Sequence, residues 1–100
     1  MKLNNTPDKE SVEFLYYIMT EFVSGNISPR VFCDEFYECF DIGIETSLLS
    51  STEIKEFERL SEVAGRFSEF EEDRAKYPNA YSDEVELKEV VVNIKSKLKR

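Results

Sequence analysis

Six carboxylates, Asp34, Glu35, Glu38, Asp41, Glu45 and Glu53, fall between Arg30 and Lys55, a stretch with no lysine or arginine of its own. Acids at that density have three chemistries open to them: pairing with cations, general acid–base work, or ligation of a hard metal. At about 100° per residue, Asp34, Glu35, Glu38 and Asp41 share one arc of a helix. Phe32, Cys33, Phe36, Tyr37, Cys39 and Phe40 fall on the other arc, which has to be buried. A second acidic run, Glu69-Phe70-Glu71-Glu72-Asp73, comes later and is followed by Tyr77 and Tyr81. Tyrosine is a frequent interface anchor, although two so close together are not both core.

The catalytic alternatives lack their usual parts. The chain has no histidine, the commonest acid–base group and the commonest metal ligand. Gly25, Gly43 and Gly65 are too far apart to form a phosphate-cradling loop, and Asp73 does not open the alternating acids of a calcium loop. Cys33 has acids beside it and no base, which disfavours a thiolate. Cys33 and Cys39 lie about 240° apart on one predicted helix, where they cannot bridge, and both read as reduced packing residues. No catalytic residue, metal ligand or cofactor is expected. A carboxylate-based hydrolase stays open as a third reading and would require a divalent metal.

Charge gives the remaining chemistry a sign. The formal net charge is −8, but Lys95, Lys97, Lys99 and Arg100 crowd the last six residues, leaving nine bases against 21 acids before them. Such a field repels nucleic acid and anionic membrane and speeds encounter with a basic partner. The bland alternative is a solvated acidic surface that keeps the chain soluble. No apolar run approaches the roughly 18 residues of a membrane span, and the N-terminus has no apolar signal segment, so a cytoplasmic location is expected.

Local signals place these residues on helices. Thr6-Pro7-Asp8 reads as a helix start, and Val12, Leu15, Met19, Phe22 and Val23 recur at helical spacing until Gly25. Ser28 reads as an N-cap with Pro29 at the first helical position, and Ile27 and Phe32 have the spacing of a hydrophobic staple. Ile44, Leu48 and Leu49 are expected to pack down from the next connector. Ser50 and Glu53 have capping-box spacing, and Ile54, Phe57, Leu60, Ala64 and Phe67 continue one face. The acids that follow would sit at a helix C-terminus, where the dipole disfavours them; they signal function or are neutralised by Arg74 and Lys76. Ser82 or Asp83 caps the last helix, with Val85, Leu87, Val90, Val91, Ile94 and Leu98 as its buried stripe. The prediction is all-α: residues 1–100 as a single-domain four-helix antiparallel bundle, with helices over about 7–24, 29–41, 51–72 and 83–99.

The order of motifs resembles the colicin D immunity-like family, which includes immunity proteins of contact-dependent growth inhibition. The residues that carry the resemblance are Gly25, Ile27, Ser28, Phe32 and Phe36, then Asp73, Tyr77, Tyr81, Asp83, Glu84 and Leu87. It implies a four-helix protein that binds the C-terminal nuclease domain of a cognate bacterial toxin, typically a tRNase, as a one-to-one heterodimer. The acids would stand where RNA phosphates lie, because a nuclease that grips RNA presents Lys and Arg. The toxin-binding set expected on both grounds is Asp34, Glu35, Glu38, Asp41, Glu45, Glu69, Glu72, Asp73, Tyr77, Tyr81, Asp83 and Glu84. Val31 falls within the acidic arc, either as an apolar contact at its centre or as ordinary end packing. The competing reading is an acidic helical adaptor or regulator that binds a basic protein.

Overall fold

The computed structural model describes residues 7–8, 10–68, 70–77 and 80–98, and of residues 71 and 74 the backbone only. Among them the chain is all-α, with one isolated bridge between Phe67 and Ser82. The first helix, α1, is Val12–Val23 and begins five residues later than expected. Asp8 is the cause. Its carboxylate accepts the Glu10 N–H at 2.8 Å and its carbonyl accepts the Ser11 N–H and hydroxyl, which closes a local turn in competition with the helix. Ser11 then caps α1 by accepting the Phe14 N–H. Thr6, expected as the cap, lies outside the described residues.

α1 stops as the sequence predicts. Gly25 takes φ 81°, its N–H reaches the Phe22 carbonyl, and the Asn26 N–H reaches that of Glu21. Those two bonds make a Schellman motif, which requires the left-handed conformation that glycine adopts without strain. Ser28 caps α2, Pro29–Phe36, by accepting the Val31 N–H, and Pro29 opens it.

The α-helix does not run on to residue 41. From Tyr37 to Gly43 the backbone widens into π-helical turns, closed by the Ile44 N–H on the Cys39 carbonyl at 2.7 Å. A Cβ on Gly43 would meet the Glu38 carbonyl oxygen at 3.0 Å and Glu10 Cγ at 2.9 Å, so only glycine fits here without a shift. A single 3₁₀ turn, Thr46–Leu48, follows. In this connector Ile44 and Leu49 are buried as expected, but Leu48 is 60% exposed.

α3 is Ser51–Gly65, opened by the full capping box: the Glu53 N–H on Ser50 Oγ and the Ser50 N–H on Glu53 Oε1. The other Glu53 oxygen accepts the Tyr16 hydroxyl, which ties the cap to α1. α3 ends at residue 65, not 72, because its last groups find partners across the chain. Ser82 donates its N–H to the Arg66 carbonyl and its hydroxyl to that of Val63, and accepts the Ser68 N–H. A short helix, α4 (Glu71–Lys76), and α5 (Glu84–Leu98) complete the chain. Asp83, rather than the fully buried Ser82, caps α5, its Oδ1 accepting the Glu86 N–H at 2.9 Å. Val85 is 65% exposed and does not belong to the buried stripe of Leu87, Val90, Val91 and Ile94.

The core centres on an aromatic column. Phe32, Phe36 and Phe40 recur every four residues and stack at 5.9 and 5.4 Å between ring centroids, flanked by Phe22 of α1 and Phe57 of α3. Each such pair contributes about 0.5–1.5 kcal/mol beyond simple burial. The column holds α2 between α1 and α3, which fixes the direction in which its acidic arc points. α3 and α5 pair in reverse order through Glu56 with Lys97, Arg59 with Asn93, and Arg66 with Glu86. Among the described residues no helix is long and apolar enough to cross a membrane.

Candidate partner-binding face

With the phenylalanines turned inward, Asp34, Glu38, Asp41 and Glu45 are exposed and Glu35 is half-buried. The arc is not uniform. On one flank, Asp34 and Asp41 line a cavity of about 220 Å³ between α2 and the C-terminal half of α3. Asp41 reaches across it, both carboxylate oxygens lying 3.3 Å from the Ser61 hydroxyl. Tyr37, Cys33 and Phe67 also contribute to the wall. On the other flank, Glu35 approaches Cys39 together with Asp8 and Glu10 from the turn before α1.

The two thiols sit in different settings. Burial pushes the Cys33 thiol up to about 12, with Asp34 raising it further and Arg30 opposing. Burial likewise pushes the Cys39 thiol up to about 11, helped by Glu10, Asp8 and Glu35. Cys39 donates to the Ser11 carbonyl at 3.6 Å, and both cysteines are free. Protonated thiols of this kind are poor nucleophiles. Among the described residues, no three Asp, Glu or Cys side chains converge to hold a metal ion.

The second group of expected contacts divides by role. Glu69 lies outside the described residues. Glu71 to Asp73 open α4 instead of closing α3, so the dipole favours acids here and the anomaly inferred from the sequence disappears. Glu72 is exposed, whereas Asp73 accepts the buried Ser68 hydroxyl at 3.1 Å. Asp83 is engaged as the cap of α5, and Glu84 beside it is exposed. Tyr77 is exposed with the Lys76 ammonium 5.7 Å from its ring centroid, and Tyr81 is half-buried 6.4 Å from Tyr77. The Phe67–Ser82 bridge connects this region to the cavity, since Phe67 belongs to both.

Sequence reasoning placed Tyr37 on the buried arc, yet it is 55% exposed beside Asp34 and Asp41. The sequence pattern puts Ala64 on the packed face of α3 and gives Ser61 and Gly65 no place there, yet the three, spaced by three and four, form a strip of small residues facing α2. That strip was the available signal for the cavity, because small side chains leave space between packed helices. The chain matches no known family model, no curated protein and no solved structure.

Proposed function

We propose that this chain is a bacterial immunity protein that neutralises a cognate nuclease toxin, typically a tRNase, by covering its basic active-site region with the acidic face of α2. The proposal takes in the four longer helices as an antiparallel bundle acting in the cytoplasm. One observation carries it. Around α3 and α5, Arg59, Arg66 and Lys97 pair with acids of the same two helices: Arg59 and Lys97 with Glu56, and Arg66 with Glu62 and Glu86. Among the described residues, by contrast, no cation forms an ion pair with Asp34, Glu38, Asp41 or Glu45. Exposed carboxylates that form no ion pair with a described cation, gathered on one face, favour fast, oriented capture of a basic surface. Speed matters for an inhibitor of a nuclease, because uninhibited enzyme turns over throughout the encounter time.

The direct test is co-expression with the toxin domain encoded immediately upstream, scoring survival and co-purification. Rescue with a one-to-one complex supports the reading. A folded chain that neither rescues nor co-purifies overturns it and favours an adaptor that binds some other basic protein.

A further inference from the structure

We infer that the cavity between α2 and α3 is a socket for a single arginine side chain of the partner, stacked against Tyr37 and held between Asp34 and Asp41. The inference rests on the toxin-binding reading for the identity of the partner, though not for the chemistry of the socket.

Size is the first argument. Cofactor and drug-like sites occupy about 300–1,000 Å³, whereas a cavity of about 150 Å³ already holds one benzene ring. At about 220 Å³ this space fits one planar head group with part of its stem and is too small for a nucleotide or a length of peptide. Composition is the second. Two carboxylates stand among Tyr37, Phe36, Phe67 and Cys33, so the wall offers anionic acceptors together with aromatic and apolar surface. A guanidinium uses both at once, through paired hydrogen bonds to carboxylate and stacking on a ring, while its methylenes cover apolar surface. An ammonium is a strongly hydrated point charge and gains less from the ring and the apolar wall.

Preorganisation is the third argument. Ser61 fixes Asp41 from the opposite helix, the aromatic column fixes α2, and the small residues of α3 keep the space open. Arg30 also lies at the cavity and brings one positive charge against the two carboxylates, so the socket remains net anionic. Tyr37 is more than half exposed without a partner present, as expected of an anchor that is completed by the other protein.

The experiment has two arms. In the first, the isolated protein is titrated with N-acetyl-arginine amide, the lysine analogue and neutral citrulline amide while backbone amide resonances are followed. The arginine probe should shift Asp34, Tyr37, Ser61 and Gly65 saturably, with a Kd on the order of millimolar, as suits one charge-assisted contact. It should bind at least about threefold tighter than the lysine probe, and citrulline should give no saturable shift. Asp34→Asn with Asp41→Asn, and separately Tyr37→Ala, should abolish the response with unchanged far-ultraviolet dichroism. No saturable shift, equal response to lysine, or shifts centred elsewhere overturns the socket.

In the second arm the same variants are tested for binding the upstream toxin domain. Wild-type binding that these variants leave unchanged also overturns the socket while the immunity reading stands. An arginine response without any toxin binding overturns the immunity reading and leaves the socket in place.

Discussion

The Ser61 hydroxyl lies 3.3 Å from both carboxylate oxygens of Asp41, joining the π-helical turns after α2 to the third turn of α3. The bond orients an exposed acid that no described cation neutralises. Asp34, on one side of the same cavity as Arg30, and Glu38, farther round the arc, likewise form no ion pair with a described cation. The charge of this face is therefore available to another molecule, and its removal has a kinetic signature.

Reversing Asp34, Glu38 and Asp41 to lysine together should slow association with the basic partner about tenfold or more at low salt, with a smaller change in dissociation. The difference should shrink as salt is raised, since screening shortens the reach of exposed charges to about 8 Å at physiological ionic strength. Because repulsion between neighbouring acids is relieved, the variant should melt within a few degrees of the wild type. Stopped-flow association at several salt concentrations, with a thermal melt as control, checks this. Association at the wild-type rate would remove the arc from the interface.

Gly43 tests the π-helical turns. A methyl at this position meets the backbone oxygen of Glu38 at 3.0 Å and the flexible Glu10 side chain at 2.9 Å. Glu10 can swing away, but the carbonyl belongs to the widened turn and cannot move alone. Gly43→Ala should destabilise the fold by about 1–3 kcal/mol, the usual cost of crowding a packed site. Gly65→Ala, where nothing lies within 4 Å and the position is helical, should be neutral or slightly stabilising. Urea unfolding of the two variants side by side gives the contrast, and equal stabilities would sink the packing argument.

How much of this was legible beforehand follows from where the hydrogen-bond partners lie. The Ser28 and Ser50 caps, the Gly25 stop and the Phe32–Phe36–Phe40 stripe are written in residues three or four apart, and each appears where the spacing puts it. The end of α3 is decided by Ser82, nineteen residues beyond Val63, and no local pattern reports such a partner. With α3 ended there, Glu72 and Asp73 fall in the first turn of α4 and not at the end of α3. Tyr37 was misplaced for a different reason: it stands at the edge of the α2 arc, where the helix changes pitch and a uniform 100° step ceases to apply. Among the site residues, the exposure of Asp34, Glu38 and Asp41 followed from the wheel. The cavity did not, because it depends on small residues of a second helix.

Asp83 distinguishes a cap from a contact. Its carboxylate accepts the Glu86 N–H at 2.9 Å, and its carbonyl accepts that of Leu87. Asp83→Ala should lower stability by about 1 kcal/mol, while Asp83→Asn, a comparable cap, should restore it. Neither change should alter the equilibrium affinity for the partner beyond about twofold, since the side chain already serves its own helix. Thermal or urea melts together with calorimetric titration of both variants provide the check. A large affinity loss in Asp83→Asn with normal stability would return Asp83 to the binding set.

The cysteines make the pH prediction. Burial holds the Cys33 thiol up at about 12 and the Cys39 thiol at about 11, whereas both would ionise near 9.0 in the unfolded chain. A folded pKa raised above the unfolded one means that the native state keeps its protons longer. This contribution to stability is therefore complete below about pH 8 and declines as pH rises from about 9 through the folded values. The comparison that isolates the thiols is with Cys33→Ser and Cys39→Ala in one chain. Urea midpoints measured from pH 7 to pH 10.5 should fall more steeply for the wild type than for that variant. The same shifts predict that native thiols react with a disulfide reagent at pH 8 about a hundredfold or more slowly than in urea, because the thiolate fraction is that much smaller. Rapid modification of Cys33 in the folded protein, with no loss of helicity, would show that its thiol is not raised as described.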